Sequence, residues 1–480
     1  MDSPRTTESQ DTIVAISTPV GRGGIGIVRL SGPRAREVAE PMLRLRHEMA
    51  AGRARFGELI ETDASGETRV LDEVVATHFA ASHSYTGEDV VEIAMHGSPV
   101  LLEYVVRECC GRGARLAEPG EFTQRAFLAG RIDLTQAEAV GDLIESSTLQ
   151  QARVAARQMG GALARQVAPV KTDLVGLIAT LEAGIDFAED DIDVMPAAEI
   201  VAKIDAVHAS LEALERSFAY GRVVRDGFKL AIVGRPNAGK SSLFNRLVER
   251  ERAIVTDTPG TTRDLVTERV AIDGIPVDLI DTAGLREASD EAERIGIAKS
   301  HEAIAEADVV LLVVDSTAGI GDRDRAVLRD GAAMDVIVAM NKSDLVAGPA
   351  STVPPVEREA ARWTGHPDDS RHGKAVAAIS TSALTGEGIA ELRAAIVSAV
   401  AGDRGGLRES GMLTNVRQHQ AVEQGLRGLD AARAAVEANI PHEMVLLDLY
   451  ESLRGLDALT GATTTEDVLR LIFSTFCIGK

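Results

Sequence analysis

The chain has 480 residues, a formal net charge of −22 at pH 7 and three cysteines. This length predicts about three domains, and so few cysteines exclude a disulfide scaffold and a cysteine-rich zinc site. The acidic excess argues against a protein that holds RNA mainly through its own surface. The longest apolar run, residues 309–314, is too short to span a membrane. The polar residues 1–7 lack the apolar core of a signal peptide, so we expect a cytoplasmic protein.

The first 130 residues alternate short β-rich runs with helical ones. The β-rich runs are residues 12–17, 25–30, 70–79 and 90–95. This alternation predicts a compact α+β domain over residues 1–130.

Two helical blocks follow, one on each side of a central region. From about Leu134 the pattern is helical, and its apolar residues recur at spacings of four and three, which predicts a helix that packs on one face. The first stripe is Ile200, Ile204, Val207, Leu211, Leu214 and Phe218, and the second is Val422, Leu426, Leu429 and Val436. Pro441 ends the second helix, and residues 464–467 are a capped start for a last helix over residues 468–473.

The central region, residues 228–402, alternates strand and helix signals, which predicts a doubly wound parallel sheet. Both flanking blocks have an apolar stripe to bury. We therefore predict a multidomain α/β protein in which one all-α domain, built from residues 131–226 and 403–480, receives the sheet domain 227–402 as an insertion. The stripes could instead form the seam of a dimer.

A phosphate-binding loop opens the central region. Gly234-Arg-Pro-Asn-Ala-Gly-Lys-Ser241 fits G-x-x-x-x-G-K-[ST] and lies between an apolar run and a predicted helix. The backbone N–H groups of such a loop surround the α- and β-phosphates, Lys240 neutralises charge on the β- and γ-phosphates, and Ser241 ligates Mg²⁺. Taken alone, this segment could be a glycine-rich turn that fits the pattern by chance. The later motifs exclude this alternative.

Three later motifs, each at the end of an apolar run, specify guanine. Asp281-Thr-Ala-Gly284 supplies an Asp for the Mg²⁺ shell and an N–H near the γ-phosphate. Asn341-Lys-Ser-Asp344 supplies a carboxylate for guanine N1–H and N2–H₂, two donors that adenine does not offer in this arrangement. Ser382-Ala-Leu384 supplies a backbone N–H for guanine O6. In this order the motifs indicate a GTPase.

The usual catalytic parts of a GTPase are incomplete. Leu285 stands where many GTPases carry a water-orienting Gln, and no arginine finger, worth about 10³–10⁵ in rate, is evident. Asn237 and carbonyls of residues 253–264 could form an oxygen cage for a monovalent cation. The alternative is that Asn237 only fits the loop geometry.

Several motifs resemble a known family. The phosphate loop, Gly260-Thr-Thr-Arg-Asp264 and Asp281-Thr-Ala-Gly-Leu-Arg-Glu-Ala288 are similar to the potassium-activated GTPases. Nearly the whole chain resembles one branch, the MnmE (TrmE) family of tRNA-modification GTPases. The flanking matches are Asp11-Thr-Ile-Val-Ala15, Gly21-Arg-Gly-Gly24 through Arg29, Ser84-Tyr-Thr-Gly-Glu-Asp89, His96-Gly97, Pro119-Gly-Glu-Phe122 through Arg125-Ala-Phe127, and Phe476-Cys-Ile-Gly-Lys480.

The resemblance implies roles for the residues of the nucleotide site. Catalysis falls to Lys240, Thr262 and Glu293, the last orienting water in place of the missing Gln, although Glu293 by spacing alone belongs to a solvated acidic run. K⁺ is held by Asn237, Thr256, Thr258 and Thr261, and Mg²⁺ by Ser241 and Thr262. The GTP contacts are Asn237, Ala238, Gly239, Lys240, Ser241, Ser242, Thr256, Asp257, Thr258, Pro259, Gly260, Thr261, Thr262, Asp281, Thr282, Ala283, Gly284, Asn341, Lys342, Asp344, Ser382, Ala383 and Leu384.

The resemblance also implies a second site and partners. Arg29, Glu92, Arg131 and Lys480 are the implied contacts of a tetrahydrofolate derivative, in its 5-formyl or methylene form, within an N-terminal folate-binding and dimerisation domain. Without the resemblance, each of these residues reads equally well as part of a surface ion pair. The implied partners are a second copy of the chain, tRNA and the FAD-containing protein MnmG (GidA). The implied reaction adds an aminomethyl or carboxymethylaminomethyl group to C5 of a wobble uridine.

Three questions stay open at the level of sequence. A ribosome-assembly or regulatory GTP switch, or a folate-dependent transferase with an accessory GTPase domain, shares some of these motifs. Cys477 is either a nucleophile or, as we favour, a structural or folate-adjacent residue. Residues 348–374 form a polar loop longer than expected beside the base site, which we interpret as a solvated insertion without chemistry.

Overall fold

The structure, a computed structural model, describes residues 11–63, 65–186, 195–248, 266–280, 304–330, 335–346, 375–401, 411–463 and 465–479. The chain divides into two compact units. The first consists of Met1–Gly141, Gln158–Ala164 and Leu456–Lys480, and the second of Asp142–Arg157 and Arg165–Gly455.

The first unit is built on a mixed sheet. Its strands are β1 (Ile13–Ile16), β2 (Gly23–Ser31), β3 (Leu43–Leu45), β4 (Ala54–Thr62), β5 (Thr68–Phe79), β6 (Val90–Gly97) and β7 (Arg115–Leu116). The seven strands have the order β3-β4-β5-β6-β2-β1-β7, and every pair is antiparallel except β1 with β7. Helices α1 (Ala35–Ala39), α2 (Pro99–Gly111) and α3 (Glu121–Leu128) follow strands of this sheet.

Alternation along β2 and β6 separates the core face of this sheet from its other face. Leu30 and Ile93 are buried in one hydrophobic cluster with Val105 of α2. Because successive side chains of a strand point to opposite faces, Arg29 and Glu92 lie on the other face. Their strands place them directly opposite each other in the register.

The second unit contains the predicted doubly wound sheet. Its strands are β8 (Phe228–Val233), β9 (Val266–Ile272), β10 (Ile275–Ile280), β11 (Val309–Asp315), β12 (Asp335–Asn341) and β13 (Ala375–Ser380). The order is β13-β12-β11-β8-β10-β9, with parallel pairing except for the edge strand β9, which is antiparallel to β10. The described helices of this layer are α9 (Lys240–Val248), α10 (Asp322–Asp330) and α11 (Ile389–Ala401).

Helices cover both faces of this sheet, because the central strand β11 is apolar on both sides. Leu311 of β11 is buried in one cluster with Leu243 of α9 and Leu392 of α11. The next residue, Leu312, is buried in a different cluster with Leu328 of α10. A strand buried on both faces is a continuous apolar run, which explains why β11 is so clear in the sequence.

The remaining helices confirm that the two apolar stripes are buried within one chain. These helices are α4 (Leu134–Glu145), α5 (Leu149–Met159), α6 (Ala162–Asp186), α7 (Ala197–Glu215), α8 (Phe218–Asp226), α12 (Val416–Glu437), α13 (His442–Thr460) and α14 (Glu466–Ser474). Helix α7 packs along α12, and the side chain of Leu211 lies against Gly425. Phe218 is the exception to the predicted stripe, because α7 ends at Glu215 and Phe218 begins α8.

The turn between β9 and β10 is held by a helical segment of the same unit. Thr148 Oγ1 donates to Gly274 O at 2.6 Å, and Gln151 Nε2 donates to Arg225 O at 2.7 Å. Arg225 is in turn paired with Asp142 at 2.7 Å. The start of α5 is thereby fixed both to the hairpin turn and to the end of α8.

Most of the predicted strands are confirmed, but three strands of the first unit are not predicted. The four β-rich runs of residues 1–130 correspond to β1, β2, β5 and β6. Strands β3, β4 and β7 escape the sequence patterns. Within β4, Gly57 lies where a Cβ would collide with the backbone of Arg44, so a glycine that resembles a turn signal is required for close strand approach.

Close packing of α12 on α13 depends on glycine. A Cβ at Gly428 would lie 2.6 Å from Ser452 N and 2.7 Å from Asp448 O. We expect Gly428→Ala to lower the free energy of unfolding by about 2 kcal/mol, because the helices must separate. Gly176→Ala is the control, since a Cβ at this exposed position of α6 meets nothing within 4 Å. Thermal unfolding should show a lower midpoint for Gly428→Ala only; equal midpoints would contradict the packing.

Candidate functional site

The predicted motifs meet at one edge of the parallel sheet. The phosphate loop follows β8, Asn341 is the last residue of β12, and Ser382 follows β13 by two residues. Parallel strands place their carboxyl ends at the same edge, where open α/β sheets bind ligands. The fold therefore brings together three motifs that are far apart in the sequence.

The phosphate loop is shaped by its glycine and lysine. Gly239 has φ +92°, and a Cβ there would collide with Asn341 Nδ2, so the position requires glycine. Lys240 Nζ donates to the carbonyls of Gly234 at 2.8 Å and Arg235 at 3.0 Å. These bonds hold the ammonium group across the loop. Asn237 is exposed and has φ +62°, a conformation that Asn tolerates better than most residues.

Asn341 joins the phosphate loop to the base loop. Its side chain is 1% exposed. Nδ2 donates to Ala238 O at 2.9 Å, and Oδ1 accepts from the backbone N–H of Ala383 at 3.1 Å. Because a buried amide without partners is costly, this residue fixes the distance between the two loops.

A buried hydroxyl holds the carboxylate of Asp344. Ser382, which is fully buried, donates from Oγ to Asp344 Oδ1 at 2.6 Å. Asp344 itself is exposed, as is Leu384. The carboxylate is therefore held by a hydrogen bond from Ser382 and exposed to solvent at the sheet edge.

Sequence reasoning missed Asp315, the last residue of β11. Asp315 Oδ2 pairs with Lys342 Nζ at 2.6 Å, and Oδ1 accepts from Thr317 N and Oγ1. Burial acts to raise the pKa of Asp315, but the hydrogen bonds from Lys342 and Thr317 outweigh it and lower the pKa. An Asp at the end of an apolar run is the signal that could have identified it.

Part of the predicted nucleotide site lies outside the described residues. This part comprises Thr256, Asp257, Thr258, Pro259, Gly260, Thr261, Thr262, Asp281, Thr282, Ala283, Gly284 and Glu293. The long loop, residues 348–374, also lies outside the described residues.

A second group of predicted residues gathers on the sheet of the first unit. Arg29 Nε and Nη2 both contact Glu92 Oε1, at 2.8 and 2.7 Å. The guanidinium of Arg29 lies 5.7 Å from the centroid of the Phe122 ring, a cation–π distance. Both side chains of the pair are about one quarter exposed, at 24% and 26%, so a ligand can reach them.

Arg131 lies beside the loop that contains Tyr85. Its Nη2 donates to Ser84 O at 3.1 Å. The hydroxyl of Tyr85 shares a hydrogen bond with Thr123 Oγ1 at 3.0 Å. Burial raises the pKa of Tyr85, while Thr123 and Arg29 act in the opposite direction. Tyr85 therefore remains a neutral hydroxyl close to Arg29, a neighbour that sequence reasoning did not single out.

The C-terminal residues return to the same sheet. Ser17, directly after β1, donates from Oγ to Gly479 O at 3.1 Å. Ile478 forms an isolated bridge with Pro119. Lys480 lies outside the described residues, but the residue before it is fixed beside β1, and β1 pairs with β2 so that Ala15 lies opposite Arg29.

The described residues include neither a membrane-spanning helix nor a metal-binding cluster. None of their helices combines the length and apolar character that a membrane crossing requires. Within the same residues, no group of three or more His, Cys, Asp or Glu side chains could hold a metal ion.

The fold and site define a P-loop protein with the guanine-recognition loops of a GTPase. The family profile "GTP-binding protein TrmE N-terminus" matches residues 12–131, and "MnmE helical domain" matches residues 134–477. Relatives described as tRNA modification GTPase MnmE are 58% identical in Koribacter versatilis and 41% in Aquifex aeolicus. The alignments cover 98% of this chain with 99% and 100% of those relatives. The chain belongs to the MnmE family of tRNA modification GTPases.

Base recognition by Asp344 is testable by a change of nucleotide. We expect Asp344→Asn to weaken GTP binding by about 10²-fold or more, because the amide presents a donor to guanine donors. Xanthosine triphosphate, with an acceptor at that edge, should recover the affinity. Glu387→Gln is the control, since it removes an exposed carboxylate from the neighbouring loop after β13. Titration with fluorescent nucleotides measures both; no recovery with xanthosine triphosphate would contradict the assignment.

Proposed function

We propose that this protein is a potassium-dependent GTPase that works with tRNA, an MnmG-type flavoprotein and a folate one-carbon donor. Together they add an aminomethyl or carboxymethylaminomethyl group to C5 of the wobble uridine, position 34, of certain tRNAs. The flavin belongs to the partner and not to this chain. We also propose the division into an N-terminal domain (1–130), a discontinuous helical domain (131–226 and 403–480) and a GTPase domain (227–402).

The observation that carries the GTPase part is the position of Asn341. This single buried side chain bonds to the phosphate loop and to the base loop, so the spacing between phosphates and base is built into the fold. Ser382 supports Asp344 next to it. The arrangement suits one nucleotide with a guanine base, and the relatives are named as GTPases.

Potassium is proposed as the missing positive charge of the catalytic site. Asn237 offers a side-chain oxygen at the phosphate loop, and the proposal adds Thr256, Thr258 and Thr261 as further ligands. Mg²⁺ is assigned to Ser241 and Thr262, and the orientation of water to Glu293. Among these, Asn237 and Ser241 are described, and both are exposed at the loop.

A reduced folate is proposed for the sheet of the first unit. A pterin ring has amide-like donors that suit Glu92, while the carboxylates of its glutamate tail suit Arg29, Arg131 and Lys480. The close pairing of Arg29 with Glu92 supports one pocket that contains both residues. The position of Gly479 beside β1 supports the addition of Lys480 to that pocket.

We propose a homodimer in which this sheet contributes to the interface. Phe56 and Val75 lie opposite each other on β4 and β5 and are each 39% exposed. Exposed apolar pairs in the middle of a sheet favour burial against a partner. The net charge of −22 further supports a basic partner, because an acidic protein holds tRNA poorly by itself. We place the protein in the cytoplasm, where tRNA is modified.

Dependence on potassium can be tested at Asn237. We expect GTP hydrolysis in K⁺ to exceed that in Na⁺ by about tenfold or more, because the cation replaces an arginine finger. Asn237→Gly should abolish this difference while leaving GDP affinity nearly unchanged, since glycine keeps the positive φ without the amide. Asn237→Ala also removes the amide, but alanine is strained at the positive φ of this position, so comparison with Asn237→Gly shows the effect of the strain. Equal wild-type rates in K⁺ and Na⁺ would contradict the proposal.

The proposed reaction can be tested in a strain that lacks the gene. Mass spectrometry of tRNA nucleosides should show loss of the modified wobble uridine and its return with the wild-type chain. Lys480→Ala should fail to restore it yet retain K⁺-stimulated GTPase activity, because the GTPase sheet folds around its own core. Lys203→Ala, an exposed change on α7, is the control. Unchanged nucleosides in the deletion strain would favour a regulatory GTP switch.

A further inference from the structure

The phosphate loop contains one arginine, Arg235, to which the proposed GTPase mechanism assigns no role. Arg235 directly follows Gly234 and is the nearest arginine in sequence to Lys240. An arginine at this place could supply charge to the phosphates from within the chain, as an arginine finger does. The contacts of its side chain show whether Arg235 is directed toward the phosphates or away from them.

The side chain of Arg235 contacts the first turn of α10 and the segment before it. Its Nε contacts Asp324 Oδ2 at 2.9 Å, and Nη2 donates to the carbonyl of Gly319. Asp324 is 1% exposed, and its Oδ2 also accepts from Gly321 N at 2.9 Å. The guanidinium is thus directed into a prepared set of acceptors.

The burial of Asp324 makes this pair unlike an ordinary surface ion pair. Asp324 Oδ1 is also buried and has no hydrogen-bond partner among the described residues. A buried carboxylate is costly unless a cation compensates it, and Arg235 is the cation that contacts it. By contrast, the nearby pair of Asp322 and Arg325 is on the surface, with Asp322 fully exposed.

The backbone of Arg235 is part of the nucleotide site even though its side chain is turned to Asp324. The carbonyl of Arg235 accepts from Lys240 Nζ at 3.0 Å. One residue therefore connects the buried Asp324 to the phosphate-binding lysine. A shift of the guanidinium would move the carbonyl that positions the ammonium group.

We propose that Arg235 and Asp324 are positioning residues for the GTP site, which fix the start of the phosphate loop and keep Arg235 away from the phosphates. The inference rests on the proposed GTP hydrolysis. It adds the reason why the only arginine of the phosphate loop does not replace the potassium ion.

Four variants of the full chain test the proposal. Arg235→Lys keeps the charge but loses the planar donors, and Asp324→Asn keeps the shape but loses the charge. We expect both to weaken GTP and GDP binding alike by about 10-fold to 100-fold, the loss typical of a charge-assisted hydrogen bond. At saturating GTP and K⁺, kcat should change less than about threefold. The double variant should bind GTP and GDP no more weakly than the single variant with the lower affinity. Asp322→Asn should have the affinity of the wild type.

Two results with the single variants would overturn the proposal. If kcat falls by about 10²-fold in Arg235→Lys with unchanged affinity, while Asp324→Asn behaves as wild type, Arg235 acts on the transition state instead. If Asp324→Asn and Arg235→Lys both match Asp322→Asn, the pair has no role in binding. Absence of GTP hydrolysis by the wild type would instead contradict the proposed function.

Folding is monitored by thermal unfolding of each variant. Should the single variants fail to fold, Arg235→Met with Asp324→Leu removes both charges together, an exchange that buried ion pairs often tolerate. We expect this pair to fold and to show the same loss of affinity for GTP and GDP. Wild-type affinity in a folded Arg235→Met/Asp324→Leu variant would overturn the proposal.

Discussion

The buried amide of Asn341 is the interaction on which the nucleotide site depends. At the end of β12, it is surrounded by the phosphate loop on one side and the base loop on the other, and both of its polar atoms are bonded. The fit is close enough that Gly239 admits no side chain beside it. Because a buried amide is costly to leave without partners, these two bonds hold the two loops together.

Three side-chain contacts extend the surface of these two loops outward from the sheet edge. Asp315 holds Lys342, Ser382 holds Asp344, and Asp324 holds Arg235. The first connects the end of β11 to the loop after β12, the second joins the loops after β12 and β13, and the third joins α10 to the loop after β8. Lys342, a predicted nucleotide contact, therefore takes its position from Asp315, which was not predicted to be one.

The first unit uses a different principle, since two of its candidate residues, Arg29 and Glu92, lie on a strand face and not at strand ends. The register of β2 with β6 sets Arg29 against Glu92. Cross-strand neighbours on one face are held only about 5 Å apart. The C-terminal residues add Gly479 to the same sheet through Ser17. Residues from both ends of the described chain therefore meet at this sheet.

The sequence by itself determined the phosphate loop, the guanine motifs, the apolar strands and the two helical stripes. These features are local, because backbone conformation and burial impose a period or a fixed spacing on nearby residues. Only the tertiary structure decided which distant groups meet. Gly479 reaches Ser17 across a separation of 462 residues, and Asp324 is an ordinary acidic residue until folding buries it against Arg235. No local pattern encodes such pairs, since they arise from strand order and packing.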